Sequence, residues 1–258
     1  MLVIRDQQWK VFRTLPSRVF EDRLVAHFFE HYAYECEGVG EPAVRTWVRL
    51  GQARARLHGH ESEREIAMYL GLMMILGCDF DRDAQYPWAA QRLNEQDDDD
   101  SWTRIQSLHA ATMSFLDDTV GEDGRFIAKA LVRMQSCDLE ALCSNAEANP
   151  DVDRATYLAE VLRLLDRHKC DALGEDVTSA VIQAGMQRAV SHGIDDLVGV
   201  SVFVICSFML GCGFDVDPMQ SWAGEALLTR GPEDSGRVKS TRLLAAGRAH
   251  LEWSLANE

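Results

Sequence analysis

The chain is poor in the residues that mark several classes of protein. It has six prolines and 18 glycines in 258 residues, which is not the composition of a disordered or fibrous chain. Basic residues are also scarce, with 26 Lys and Arg against 41 Asp and Glu, and the net charge is −15. Such a surface repels nucleic-acid phosphates and anionic membranes and attracts basic proteins. We therefore expect a protein partner, no nucleic acid and no membrane insertion.

The chain also lacks the marks of secretion. Its first residues do not form a basic segment followed by a long apolar run, which predicts that there is no signal peptide. The seven cysteines are an odd number and lie inside apolar helical patterns. This usage favours reduced thiols in a cytoplasmic protein over a disulfide framework.

One uncharged stretch, residues 197–214, reaches the length of a candidate membrane span. Acidic residues flank it on both sides (Asp195, Asp196 and Asp215), and no Lys or Arg lies close to either end. Cytoplasmic flanks of membrane helices are normally basic. We therefore expect this stretch to be a buried helix of a soluble fold.

Catalytic motifs are absent. The sequence contains no Gly-x-Ser-x-Gly elbow, phosphate-binding loop or dinucleotide fingerprint. Cys36 and Cys78 lie in apolar stretches, as structural cysteines do. We expect no catalytic residue, no metal and no cofactor, and hence a protein that is not an enzyme.

The chain matches itself when it is shifted by 134 residues. Between residues 24–93 and 158–227 there are 18 identities in 70 positions without a gap. They include Arg54-Ala55 on Arg188-Ala189, His58-Gly59 on His192-Gly193, and Trp88-Ala89 on Trp222-Ala223. Self-similarity of this extent indicates a duplicated structural unit.

The repeated unit is predicted to be helical. Apolar residues recur at helical spacing over residues 17–37, 42–58 and 62–77, followed by a short helix that carries Trp88. Further helices are predicted near 101–116, 125–135 and 236–255, and no stretch alternates as a strand does. We predict an all-α fold in which two tandem copies of a multi-helix unit, 1–120 and 121–258, pack as one pseudo-twofold helical lobe. The second part also contains the connecting helices.

A motif with alternating aspartates occurs in both copies. The residues concerned are Gly77, Phe80, Asp81, Asp83 and Trp88 in the first, and Gly211, Phe214, Asp215, Asp217 and Trp222 in the second. The spacing of Asp79, Asp81 and Asp83 resembles the start of an EF-hand loop, but Ala84 stands where that loop needs glycine. We favour a structural repeat motif in which the glycine ends a helix, the phenylalanine enters the core, the aspartates cap the next helix and the tryptophan packs back.

His27 and His31 are four residues apart on the first predicted helix, which is a metal-binding spacing. The second copy has Val161 and Leu165 at these positions, and such positions usually face the core. We therefore favour a packed or interface histidine pair. A metal-dependent hydrolase that uses His27, His31, Asp81 and Asp83 remains the alternative from a different functional class.

The most acidic segment lies between the Trp88 helix and the next helix. It contains the residues predicted to contact a basic partner: Glu95, Asp97, Asp98, Asp99 and Asp100. A solvated loop in which Asp100 or Ser101 caps the following helix is the simpler interpretation.

Three segments resemble a family of uncharacterised bacterial proteins. They are residues 4–8 (Ile-Arg-Asp-Gln-Gln), residues 20–27 with Phe20 and His27 at their ends, and residues 59–66 leading into Gly77, Phe80 and Asp81. The genes of this family lie beside type VI secretion effectors and spike or PAAR-type genes. The resemblance covers mainly the first half, to about residue 93, and its motifs carry no catalytic residues to transfer.

The resemblance implies a cytoplasmic accessory protein of a toxin-delivery system. Its partner would be a secreted toxin or effector, or a component of the spike. An immunity protein that sequesters the toxin and a chaperone or adaptor that loads an effector onto the spike both fit. The acidic composition favours immunity, since many intracellular toxins that bind anionic substrates are basic. A helical protein with no connection to toxins remains a third interpretation.

Overall fold

The computed structural model describes residues 6–94, 100–147, 153–231 and 233–256, and the regular elements in these ranges are all helical. The first half contains α1 (Asp6–His31), α2 (Ala33–Val39), α3 (Glu41–Leu57), α4 (Glu63–Leu76), α5 (Pro87–Asn94) and α6 (Ser101–Thr119). The second half contains α7 (Arg125–Ser136), α8 (Leu139–Glu147), α9 (Arg154–Leu165), α10 (Arg167–Ser191), α11 (Leu197–Leu210), α12 (Ser221–Leu227) and α13 (Gly236–Leu255). Two short 3₁₀ helices cover Glu122–Gly124 and Pro218–Gln220. The predicted all-α class is confirmed.

The helix boundaries follow the sequence pattern at most positions. The helices predicted at 62–77, 101–116, 125–135 and 236–255 correspond to α4, α6, α7 and α13. The continuous helix predicted over 17–37 is wrong, because the chain leaves helical geometry at Tyr32 (φ −132°, ψ 46°) and restarts as α2. Apolar periodicity continues across this break and therefore does not reveal it.

The central helix of each half begins at a side-chain cap. In α4 the Ser62 hydroxyl accepts from the Glu65 N–H, and the Glu65 carboxylate accepts from the Ser62 N–H at 3.0 Å. In α11 the Asp196 carboxylate accepts from the Gly199 N–H at 2.8 Å. Nearly all of α11 is buried, as expected for a core helix. Among the residues described, no helix has both the length and the apolar character needed to cross a membrane.

Each half has its own apolar core. The first is built around Phe28, Trp47 and Tyr69, and the second around Phe203 and Phe208. In the first half α4 packs against α3 and α6, and in the second α11 packs against α10 and α13. The halves also pack directly on one another, since α6 contacts α10 and Met219 of the second half belongs to the first core.

Candidate functional site

Two turns from the two halves meet at the centre of the molecule. Residues 77–83 follow α4 and residues 211–217 follow α11, and we call them the twin turns. Gly77 and Gly211 have φ of +96° and +94°, in a region that L side chains rarely adopt. A Cβ at Gly77 would lie 2.6 Å from the Leu210 carbonyl oxygen, and one at Gly211 would lie 2.9 Å from the Leu76 carbonyl oxygen. Glycine is therefore required at both positions for conformation and for close approach.

Arg54, on α3, binds the first twin turn. Its guanidinium donates to the Cys78 carbonyl and to the Asp81 carboxylate, each at 2.7 Å, and it also pairs with Asp79. Nε2 of His58 donates to the other oxygen of Asp81 at 3.1 Å. Burial on its own raises the pKa of Asp81, but the His58 hydrogen bond and the Arg54 charge outweigh it and leave that pKa below its ordinary value. Asp81 is thus the ionised partner of an internal network.

The second twin turn is held in the same way but with one carboxylate fewer. Nε of Arg188 donates to Asp215 at 2.9 Å, and His192 lies 2.7 Å from the same carboxylate. Gly213 stands where the first turn has Asp79. A side chain at Gly213 would collide with Asp79, since its Cβ would lie 2.7 Å from the Asp79 Cγ. One turn therefore carries an aspartate only because the other carries a glycine.

The last aspartate of each turn binds the opposite turn. Asp83 accepts from the Cys212 N–H at 2.7 Å and from the backbone and side-chain amides of Gln85 at 2.9 and 3.1 Å. Asp217 accepts from the N–H groups of Met219 and Cys78. Met219 replaces Gln85 at this position, so Asp217 has no side-chain amide to bind. Burial raises the pKa of Asp217 from its ordinary 3.8 to about 6.

Replacing Asp217 with asparagine is expected to stabilise the protein at neutral pH. A carboxyl with a raised pKa binds its proton more tightly when folded, so its contribution to stability is fully present below pH 3.8 and is lost as the pH rises through about 6. Asparagine removes the charge, and its amide oxygen can still accept part of these hydrogen bonds, so a loss of about 1 kcal/mol is set against a gain of about 3 kcal/mol. We expect the free energy of unfolding at neutral pH to rise by about 2 kcal/mol, with no gain in acid, as measured by urea denaturation across that range.

The matched control is the same substitution in the first turn. Both oxygens of Asp83 accept hydrogen bonds, and asparagine would place an NH₂ against one of the donors, so D83N is expected to destabilise the fold. A gain from D217N that does not depend on pH would contradict the assignment of a strained carboxylate.

The thiols are not arranged for nucleophilic chemistry. All seven cysteines are free. Burial raises the pKa of Cys36 and Cys170 to about 11 and that of Cys206 to about 12, and it also raises the pKa of Cys78 and Cys212. A thiol with a raised pKa has little thiolate at neutral pH and is a poor nucleophile.

His27 and His31 lie on the surface, so the prediction that they pack in the core is wrong, while the alternative of an interface pair stays a prediction. Their rings are 4.3 Å apart on the exposed face of α1. Val161 and Leu165, at the same positions of the repeat, are buried, and their helix α9 packs against α7, α10 and α11. Within the described ranges no three His, Cys, Asp or Glu side chains are grouped so that they could hold a metal ion. His27, His31, Asp81 and Asp83 therefore do not come together as the hydrolase alternative requires.

The acidic loop is described only at its end. Glu95, Asp97, Asp98 and Asp99 lie outside the described residues. Asp100 is exposed and caps α6, because its carboxylate accepts from the Thr103 N–H at 2.7 Å. Its proposed contact with a partner stays a prediction.

A cleft of about 880 Å³ opens beside the twin turns, between the two halves and α13. Its lining includes three tryptophans, Trp47, Trp222 and Trp253, and the four methionines Met73, Met74, Met209 and Met219. Glu35 and Asp217 also line it, and no Lys or Arg is found among the described lining residues. A volume of this size is typical of sites that bind a small molecule or several side chains of a partner.

Stacked rings form one wall of the cleft. Tyr34 stacks on Trp253 at 4.0 Å, Trp253 on His250 at 5.8 Å, and His250 on Trp222 at 5.1 Å between ring centroids, with planes within 22° of parallel. This ring column connects α2 in the first half to α12 in the second through the last helix. Burial lowers the pKa of His250, which favours its neutral form. The column therefore adds aromatic surface to the cleft without adding positive charge at neutral pH.

The sequence pattern identified only part of this site. Trp222 and Asp217 belong to the repeated motif, and Trp88 of that motif lies away from the cleft, against Tyr86 and Phe115. The ion-pair partners Arg54 and His58 were missed, although both recur in the second copy at the same offset as Asp81. Polar identities that repeat together are the signal that would have linked them. Tyr34 and Trp253 carry no such signal, because only folding brings them together.

Comparison with protein-family models, curated proteins and solved structures gives no match to this chain.

Proposed function

We propose that this chain is a non-enzymatic, cytoplasmic binding protein of a bacterial toxin-delivery system of the type VI class, and that it neutralises a cognate effector as an immunity protein. The observation that carries the proposal is the cleft, whose described ionisable lining consists of two carboxylates, a tyrosine and a neutral histidine. It lies in a protein of net charge −15. A basic protein would be drawn to this surface by the overall field and held by the cleft.

The internal use of the polar residues supports a binding role. The repeated carboxylates Asp81 and Asp215 are paired with Arg and His side chains of their own half. The carboxylate of Asp83 accepts hydrogen bonds from Gln85 and Cys212. Catalytic acids and bases need access to a substrate proton, which these groups lack.

We infer that the two halves arose by duplication and pack about a pseudo-twofold axis. Supporting this, the N-caps of α4 and α11 share φ −73° and ψ 148°, and the glycines that end these helices have φ within 2° of each other. Each twin turn also approaches the carbonyl oxygen that precedes the other. An interface of this kind produces one rigid lobe with a central cleft.

The test is co-expression with the neighbouring gene products. We expect one of them to be a toxin that co-purifies with this chain, and we expect the chain alone to restore growth of cells that express the toxin. An unrelated acidic protein of similar charge serves as the control for non-specific sequestration. Binding that stabilises an effector on the spike but does not restore growth would favour the chaperone or adaptor role. Rescue by the unrelated acidic protein, or absence of any bound neighbour, would overturn the proposal.

A further inference from the structure

The charged residues of the cleft lining are all acidic, and one of them, Asp217, has no described cation beside it. Asp217 is 7% exposed and lines the cleft, and no described Lys, Arg or His forms an ion pair with it. Its hydrogen bonds come from the backbone N–H groups of Met219 and Cys78 and from the Cys78 thiol, none of which carries a positive charge. A buried carboxylate without a cation is costly, and a cation that enters from outside relieves that cost. Glu35, exposed at the rim on α2, adds a second negative charge where such a cation would enter.

The aromatic wall favours one kind of cation. A guanidinium is planar and weakly hydrated, its N–H groups bind carboxylates in pairs, and its methylene stem packs along apolar surface. A lysine ammonium is a compact, strongly hydrated charge that makes poorer use of such a wall. Both faces of Trp253 and of His250 are covered within the column, so an arginine side chain would meet the exposed edge of Trp253, which is 38% exposed.

The rest of the cleft is apolar and adaptable. Methionines supply part of the floor, and flexible thioether side chains fit varied apolar groups. A recess of about 220 Å³ between α7, α11 and α13 shares Leu131, Met209 and Trp222 with the cleft and extends it. Arg248 at this recess is paired with Glu140 at 3.5 Å. The recess is large enough for an apolar side chain next to the cation.

We propose that the cleft is a docking site for an arginine of the partner protein, flanked by apolar residues, with the arginine stem lying along the aromatic wall and the guanidinium bound at the acidic lining that Asp217 and Glu35 provide. Charge complementarity selects the arginine, and the methionine floor and the recess select its apolar neighbours. The identity of the partner as a toxin rests on the proposed function, but the chemistry of the cleft does not.

The test uses peptides and needs no toxin. Acetylated and amidated Leu-Arg-Leu is titrated into the full chain, and binding is followed by calorimetry and by tryptophan fluorescence. The comparison peptide carries citrulline, which keeps the shape of arginine but is neutral. We expect the arginine peptide to bind about tenfold more tightly and to change the fluorescence of the cleft tryptophans. Equal affinity for the two peptides, or no binding of either, would overturn the proposal.

Variants separate the cleft from the general acidic surface. D217N should weaken binding of the arginine peptide by about tenfold and leave the citrulline peptide unaffected, while E35Q should have a smaller effect in the same direction. Glu37→Gln is the matched control, since Glu37 is an exposed carboxylate on the same helix that does not line the cleft. Since D217N is expected to be more stable than the natural chain, its loss of binding would not come from unfolding. Equal losses in E37Q and D217N would show binding to the surface at large and overturn the assignment.

The peptide experiment tests the docking site, and the growth experiment tests the immunity function, so either can be rejected without the other. Discrimination between arginine and citrulline without rescue of growth would retain the docking site and reject the immunity function. Rescue of growth without that discrimination would retain the function and reject the docking site.

Discussion

Replacing Arg54 with alanine is expected to lower the free energy of unfolding by about 3–5 kcal/mol. Arg54 is the only described cation that contacts both Asp79 and Asp81 from within the core, and only 9% of its side chain is exposed. Its removal takes the buried cation from two carboxylates and the donor from the Cys78 carbonyl, and it leaves Asp81 with His58 and both carboxylates with the exposed Arg82. The effect should be largest at neutral pH and should shrink in acid, because the carboxylates can then take up protons. Urea denaturation at both pH values measures it.

Arg188 provides the matched control for this change. It holds the equivalent turn, but it faces a single carboxylate and 34% of its side chain is exposed. We therefore expect R188A to destabilise the fold clearly less than R54A does. Equal losses in the two variants would mean that the second carboxylate and the deeper burial do not matter.

Replacing Gly77 with alanine should also cost about 3–5 kcal/mol, through two separate causes. The backbone there has φ 96° and ψ 158°, a region that essentially only glycine occupies. The added Cβ would in addition lie 2.6 Å from the Leu210 carbonyl oxygen, which belongs to the other half and cannot easily move. The added Cβ would therefore push the twin turns apart, and thermal or urea denaturation would measure the resulting loss of stability.

Gly174 isolates the first of these causes. It has nearly the same backbone conformation, φ 78° and ψ 169°, but nothing lies within 4 Å of the position of an added Cβ. G174A should cost only the backbone strain, so G77A should exceed it by about 1–3 kcal/mol. If the two variants lose the same stability, close contact between the halves at Gly77 is not a determinant of the fold.

Most of the fold could be predicted from periodicity and from the repeat. The boundaries of α4 and α13 follow from apolar spacing, and that of α4 also from the cap at Ser62, which are local signals. The break at Tyr32 could not be predicted, because apolar residues continue on the same face through it. The exposed position of His27 and His31 was missed for a different reason. The equivalent Val161 lies on α9, which also contacts α7, and α7 has no counterpart in the 70 matched positions.

The candidate site is less accessible to sequence analysis than the fold. The repeated motif coincides with the twin turns, yet it does not show that Arg54 and His58 are the ion-pair partners of Asp81. The cleft is lined by residues that are distant in the chain, and the sequence pattern does not show that they lie close together. The sequence shows that Met219 stands where the first copy has Gln85. Only the structure shows that Asp217 therefore lacks the side-chain amide donor that Asp83 has.

The ring column also has a consequence for protein synthesis. The Tyr34 hydroxyl donates to the Trp253 carbonyl at 2.8 Å, across a separation of 219 residues, so the cleft has a wall only after the last helix has left the ribosome. A nascent chain that already contains both twin turns still lacks the site, and long-range contacts of this kind form late. The aromatic wall therefore closes only when translation is nearly finished, and a chain truncated before α13 would lack this wall and would expose α11, against which α13 packs.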